Sequence, residues 1–198
     1  MIITYPIGDS LYLNVTNFCS NACSFCLREA GGSSDGIPEL WLEREPTVEE
    51  IISDLEGRNL GDYNEVVFCG YGEPLSRFDD CREVAKWLKS HGAKTRVNTN
   101  GQASLITGRD VTAEMHGLFD VVSISLNNKN ASEYQANCRS EYGVKAYDAL
   151  LEFGEKCAKS GIETLFTVLD LLPAEDIAVC EKIANERGCK LRVRKYIV

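Results

Sequence analysis

Cys19, Cys23 and Cys26 fall within the run Asn17-Phe-Cys-Ser-Asn-Ala-Cys-Ser-Phe-Cys26, a Cys-x3-Cys-x2-Cys array with Phe25 directly before its last member. Three thiolates on one loop can grip three corners of a cubane iron–sulfur cluster. That is one fewer than its four irons, so one iron stays open for a further ligand. A structural zinc site normally takes four ligands in two spaced knuckles, and no second Cys or His pair follows to complete one. An electron-transfer ferredoxin would want a fourth cysteine nearby, and chance clustering on a loop is the remaining alternative. The spacing favours the open-iron cluster over all three. Such a cluster is oxygen-sensitive.

The elements that must position this array are legible around it. Leu11 to Thr16 alternates apolar and polar residues as a strand does and runs straight into the cysteines. Arg28 to Pro46 is rich in Gly, Ser and charge and reads as a long, mobile loop. Thr47-Val-Glu-Glu50 is a capping-box start for a helix reaching about Arg58. Strands are expected at 65–69, 94–98, 121–125, 162–169 and 190–193, with helices at 78–90, 131–160 (broken near Tyr142-Gly143) and 174–187. Strand and helix alternate about six times, which implies parallel strands joined by right-handed crossovers. Six units cannot close an eight-stranded barrel, so the expected fold is α/β, an open, partial (β/α)6 TIM-like barrel. Ligands in such folds gather at the C-terminal ends of the strands.

Polar motifs stand at those ends. Gly70-Tyr-Gly-Glu-Pro74 follows the second expected strand, Asn98-Thr-Asn-Gly101 the third and Ser123-Ile-Ser-Leu-Asn127 the fourth. Taken alone, the first and second suit ordinary turns. Together with the cysteine array, however, they resemble the signature of the radical S-adenosylmethionine (SAM) superfamily. The resemblance implies a 4Fe–4S cluster on Cys19, Cys23 and Cys26, with SAM bound through its amine and carboxylate to the unique iron. It places Phe25 against the adenine, largely through its backbone. Gly70, Tyr71, Gly72 and Glu73 match a Gly-Gly-Glu-Pro element in which Tyr71 departs from the pattern. There the glycines let carbonyls approach the ligand, and Glu73 accepts from or orients the SAM ammonium. Asn100 matches the superfamily's Thr-Asn-Gly, Ser125 and Asn127 fall where side chains meet the SAM ribose and carboxylate, and Arg139 is positioned to pair with the carboxylate.

More narrowly, Leu11-Tyr-Leu-Asn-Val-Thr-Asn17, Phe25-Cys-Leu-Arg28, Trp41-Leu-Glu-Arg-Glu-Pro-Thr47 and Ser125-Leu-Asn127 leading to Cys138-Arg139 resemble small radical SAM proteins described as TatD family-associated. That name records a neighbouring TatD-type nuclease, a partner by resemblance only, and supplies no substrate. The implied reaction is reductive cleavage of SAM to methionine and a 5′-deoxyadenosyl radical, which abstracts hydrogen from an unidentified substrate. Its electron comes from a reductase or a flavodoxin- or ferredoxin-type donor.

Length and composition bound the alternatives. With 198 residues, 44% of them hydrophobic, the chain suffices for one core domain over 1–198. No apolar run is long enough to span a membrane and the N-terminus lacks a signal-peptide pattern, so a soluble, cytoplasmic protein is expected. The formal charge of -9 opposes broad binding to nucleic acid or anionic lipid. Nine cysteines with no secretion signal argue against a disulfide framework. Cys69 and Cys138 read as small core hydrophobes. Arg192, Arg194 and Lys195 read either as a small local basic site or as a strand end with solvated charges. The Arg28–Pro46 loop, with Trp41 either as a lid or as packing of the loop onto the barrel, and the final strand with Arg192 and Arg194 are the candidates for enclosing a substrate. Two rival functions stand beside the main one: a glycyl-radical-activating type of enzyme acting on a protein, and a non-catalytic iron–sulfur electron-transfer or sensor protein.

Overall fold

The computed structural model describes residues 1–28 and 39–196. Its centre is one seven-stranded sheet in chain order: β1 (Thr4–Ile7), β2 (Ser10–Leu13), β3 (Glu65–Phe68), β4 (Thr95–Thr99), β5 (Val121–Ser125), β6 (Glu163–Leu169) and β7 (Lys190–Arg194). From β2 to β7 every neighbouring pair is parallel, and β1 and β7 are not paired with each other, so the barrel is open. The helices are α1 (Val48–Glu56), α2 (Phe78–Ser90), α3 (Ala103–Thr107), α4 (Thr112–Met115), α5 (Ala131–Cys138), α6 (Lys145–Lys159) and α7 (Ala174–Glu186).

The expected partial barrel is therefore present, with one addition. β1 pairs antiparallel with β2 through the two-residue turn Gly8-Asp9, and Gly8 takes the positive φ of 54° that such a hairpin turn requires. Pro6 fits there because an edge strand can lack one ladder donor. The expected 131–160 helix divides into α5 and α6 across Arg139 and Gly143, both at positive φ.

Local chemistry explains the boundaries. α1 begins on a complete capping box, the Thr47 side chain accepting from Glu50 N and the Glu50 side chain accepting from Thr47 N; such a cap contributes about 1 kcal/mol. α2 opens with Asp79 and Asp80 and closes with Lys89, charges that suit the two ends of the helix dipole. Leu11, Leu13, Phe68, Val97, Val122, Ile124 and Phe166, all essentially buried, form the sheet face that the helices cover.

Two contacts show which way the strand residues point. A Cβ on Gly154 of α6 would lie 2.5 Å from the Phe166 ring and 3.1 Å from Ile124, so Ile124 and Phe166 face the helices. Side chains alternate across a strand, so Ser123, Ser125, Leu165 and Thr167 face the concave side.

Candidate functional site

The cysteine loop leaves β2 and is stitched to three other parts of the molecule. Gly72 N donates to Thr16 O at 3.1 Å and Glu73 N to Phe18 O at 2.7 Å. On its far side Ala22 N donates to Cys138 O at 3.0 Å, Ser24 N to Asn137 O at 2.9 Å, and Glu141 N to Ser20 O at 2.9 Å. The Asn17 side chain and the Leu42 backbone exchange two hydrogen bonds, of 2.8 and 3.0 Å. Arg28 donates to Asn21 O at 3.0 Å. The loop backbone is thus held by the 70–73 turn, the end of α5 and the 40–42 segment.

Beneath the loop lies a buried polar network whose centre, Gln102, no motif announced. Gln102 Nε2 donates to Asn21 Oδ1 and to Tyr134 Oη, both at 2.9 Å. Its Oε1 accepts from Ser20 Oγ at 3.0 Å and Ser140 Oγ at 2.8 Å. Asn21 Nδ2 reaches Tyr134 Oη at 3.0 Å, and Asn100 Nδ2 reaches Ser20 Oγ at 2.9 Å. Ser20, Asn21, Asn100, Gln102, Tyr134 and Ser140 are all buried, and buried polar groups satisfied by one another fix a single arrangement.

Cys19, Cys23 and Cys26 are all half-buried. Asn21 N donates to Cys19 Sγ at 3.5 Å, and Asn100 Nδ2 lies 3.9 Å from the same sulfur. Burial, helped by the Glu73 carboxylate, pushes the Cys19 thiol up to about 12. The Cys23 thiol is raised by its hydrogen bond to Cys138 and by burial, and its acceptor Cys138 is lowered by that same bond. Thiols of this kind become thiolates when a cation binds them. Among the described residues no three Cys, His, Asp or Glu side chains converge on a single-ion site. A cubane places its three thiolates on three different irons, and three half-buried thiols on a braced loop with amide donors beside a sulfur are a donor set suited to that.

Cys138 is expected from the sequence to be a small core residue. It is fully buried, yet it also faces Cys23 and accepts from Asn127 Nδ2 at 3.3 Å. Cys69 departs from the same reading. It is half-buried, one residue beyond β3, and burial raises its thiol against the pull of Asn98, Arg194 and Arg96. It follows Phe68, which pairs with Val97 and faces the helices, so Cys69 points to the concave side.

The remaining motif residues are distributed as follows. Phe25 is half-buried and packs against the core. Gly70 and Gly72 are places of close approach: a Cβ would lie 2.1 Å from Asn14 Oδ1 at Gly70 and 2.4 Å from Thr16 O at Gly72. Tyr71 packs with Tyr5 and Leu40 and meets the Trp41 ring edge-on at 5.4 Å. Trp41 is exposed, and the rest of the expected lid, residues 29–38, lies outside the described residues.

Glu73 is buried, and its carboxylate is engaged by the protein itself. It accepts from Asn100 N at 2.6 Å, Thr99 Oγ1 at 2.7 Å and Leu75 N at 3.0 Å. Burial outweighs these bonds and pushes the carboxyl up to about 7. Glu73 thereby ties the ends of β3 and β4 together. Gly101, at φ 75°, has no room for a Cβ between Leu150 and Ile124. Ser125 ends β5 half-buried. Asn127, at φ 59°, and Arg139, at φ 46°, both stand at the rim of the cysteine loop. Arg139 Nε donates to Ala22 O at 2.6 Å, which takes one of the guanidinium's five donors.

Residues 13–186 match the family model described as the Radical SAM superfamily. The chain is 25% identical to the 7-carboxy-7-deazaguanine synthase of Methanocaldococcus jannaschii over 178 residues, which are 86% of this chain and 68% of that protein. Among solved structures it resembles Streptococcus suis SuiB with a TM-score of 0.64 and 14% identity, over 90% of this chain and 37% of SuiB. It also resembles HydG, a maturase of the FeFe hydrogenase, with a TM-score of 0.66 and 16% identity, over 94% of this chain and 42% of HydG. At these identities the structural likenesses speak for the fold, and the chain spans well under half of either protein.

Proposed function

The chain belongs to the radical SAM superfamily of enzymes, and from that premise we propose that Cys19, Cys23 and Cys26 hold a 4Fe–4S cluster whose fourth iron takes SAM. When bound, the cluster supplies the electron that splits SAM into methionine and a 5′-deoxyadenosyl radical, which removes a hydrogen atom from the substrate. The single observation that carries this reading is the bracing of the cysteine loop. Its backbone is tied to the 70–73 turn and to the end of α5, and the network centred on Gln102 lies beneath it.

The chain's own residues divide the work. Asn21 N and Asn100 Nδ2 lie against Cys19 Sγ, where N–H groups favour a thiolate. Gly70, Tyr71 and Gly72 present backbone beside the loop for the methionine end of SAM. The Glu73 carboxylate holds that turn against Asn100, so it orients the ammonium site rather than filling it. Phe25 serves the adenine, and Ser125 and Asn127 the ribose and carboxylate. The terminal nitrogens of Arg139 serve the carboxylate while its Nε holds Ala22.

A cytoplasmic location, a flavodoxin- or ferredoxin-type or reductase electron donor, and the TatD-associated subgroup with its nuclease partner belong to this same proposal. The subgroup and its nuclease partner rest on the sequence runs quoted above, and the electron donor on the superfamily's chemistry. Among the described residues no helix is long and apolar enough to cross a membrane.

The reading is tested by anaerobic reconstitution followed by iron and sulfide analysis and electron paramagnetic resonance of the reduced protein. About four irons and four sulfides per chain are expected, with a spectrum that changes on adding SAM. A full cluster whose spectrum is indifferent to SAM would instead support the electron-transfer or sensor reading.

A further inference from the structure

In an acidic chain, the concave face of the barrel carries cations. β7 reads Lys-Leu-Arg-Val-Arg, and its register pairs Thr167 with Arg192 and Leu169 with Arg194. Laterally paired residues of a parallel sheet point to the same face. Thr167 in turn pairs with Ser125, so Arg192 stands in the same layer as Ser125, about 10 Å away at two strand spacings. Leu191, between the arginines and their neighbour Lys190, turns the other way and packs against the core.

Burial raises the Cys69 thiol, and the positive charges of Arg194 and of Arg96 on β4 pull it the other way. Neither Arg192 nor Arg194 has a carboxylate partner among the described residues, and both are exposed.

The acidic groups near this surface already have partners, and none of these is Arg192 or Arg194. Glu65 pairs with Arg96 at 2.9 Å and Glu163 with Lys190 at 3.1 Å, both at the strand starts. Asp170 accepts from Tyr196 N at 2.8 Å. Two buried polar atoms on β4 lack a partner among the described residues: Arg96 Nε, a donor, and Asn98 Oδ1, an acceptor. Arg96 is itself 9% exposed. A buried donor left unpaired is costly, and here both atoms sit on the face that holds Cys69 and the open-edge arginines.

We propose that the concave face binds an anionic substrate, one bearing a carboxylate or a phosphoryl group, whose charged end is taken by Arg192 and Arg194 at the open edge while Arg96 and Asn98 meet its polar body. The inference rests on the radical SAM reading for the word substrate, and on the geometry of β4 and β7 for the word anionic. Guanidinium forks suit both oxyanions, and the shared requirement is two or more negatively charged oxygens.

The test is calorimetric titration of the anaerobically reconstituted protein at low salt with two probes, citrate for carboxylates and inorganic pyrophosphate for phosphoryl groups, with glycerol as a neutral control. At least one anion is expected to bind, and the tighter of the two identifies the oxyanion class. The Arg192→Ala/Arg194→Ala variant should lose tenfold or more in affinity. Arg192→Lys/Arg194→Lys should retain part of it, and Lys145→Ala/Lys182→Ala, which removes equal charge elsewhere, should bind as the parent does. Failure of both anions to bind the parent, or a loss of less than tenfold in the Ala/Ala variant, overturns the proposal. SAM cleavage measured on the same parent sample separates the two claims. Cleavage without anion binding removes only the anionic site, and anion binding without cleavage removes only the radical SAM activity.

Discussion

Gly72→Ala is a sharp structural perturbation of the cysteine loop, because the obstacle it meets is backbone. The new Cβ would lie 2.4 Å from Thr16 O and 2.5 Å from Phe18 O, whereas ordinary contact begins at about 3.4 Å. The two segments must therefore part by about 1 Å, at the point where Gly72 N and Glu73 N donate to those same carbonyls. Two backbone hydrogen bonds at about 1 kcal/mol each and an overpacking cost of about 1–3 kcal/mol give a destabilisation of about 3–5 kcal/mol. Phe18 immediately precedes Cys19, so the displacement is passed to the first cysteine. Urea denaturation of the cluster-free protein, together with iron content after reconstitution, should show both the loss of stability and poor loading. The control is Gly92→Ala, at φ 74° with nothing within 4 Å. It should cost about 1–2 kcal/mol for its backbone conformation alone and load iron normally. A Gly72→Ala protein within 1 kcal/mol of the parent that takes up iron as the parent does would refute the reasoning.

Other consequences can be measured separately. Gln102→Leu removes four buried hydrogen bonds at once, one each from Ser20, Asn21, Tyr134 and Ser140. At about 1 kcal/mol per lost hydrogen bond, thermal unfolding should show a loss of about 3 kcal/mol or more, and a loss below 1 kcal/mol would mean that the network does not hold the loop. Because Glu73 is held protonated up to about pH 7 by burial, its ionisation on unfolding favours the unfolded chain progressively as pH rises from about 4.5 to about 7. The cluster-free protein should therefore lose about 3 kcal/mol across that window, relative to Glu73→Gln measured in parallel; identical pH profiles for the two proteins would contradict a buried, raised carboxyl. Arg139→Ala should weaken SAM binding by tenfold or more if its terminal nitrogens meet the carboxylate, and unchanged affinity would leave Arg139 only its bond to Ala22.

Much of the scaffold was legible because its signals are local. The capping box at Thr47 and Glu50 marks the start of α1, and the Tyr142-Gly143 break falls in the Arg139–Gly143 turn between α5 and α6. β1 was missed although Gly8-Asp9 between two short runs is a hairpin signal, because Pro6 argues against a strand anywhere except at an edge. α3 and α4, of five and four residues, are too short for a helical period to show.

The site was legible only where chemistry is clustered along the chain, in the three cysteines and the 70–74 turn. The partners of Gln102 lie between 32 and 82 residues away, and the Asn21–Tyr134 bond spans 113. Such separations leave no pattern in a single sequence. The pairing of Cys23 with Cys138 is hidden for the same reason. The direction of the β7 arginines follows from strand register, which is a property of the folded sheet.

The measurement that bears most directly on the central claim is the yield of 5′-deoxyadenosine from the reconstituted, reduced protein given SAM under anaerobic conditions, beside a Cys19→Ala/Cys23→Ala/Cys26→Ala control. Formation of the nucleoside by the cysteine-intact protein and its absence from the control is the expected result. A fully loaded cluster that yields none with several reductants would contradict the assignment of radical chemistry to this chain.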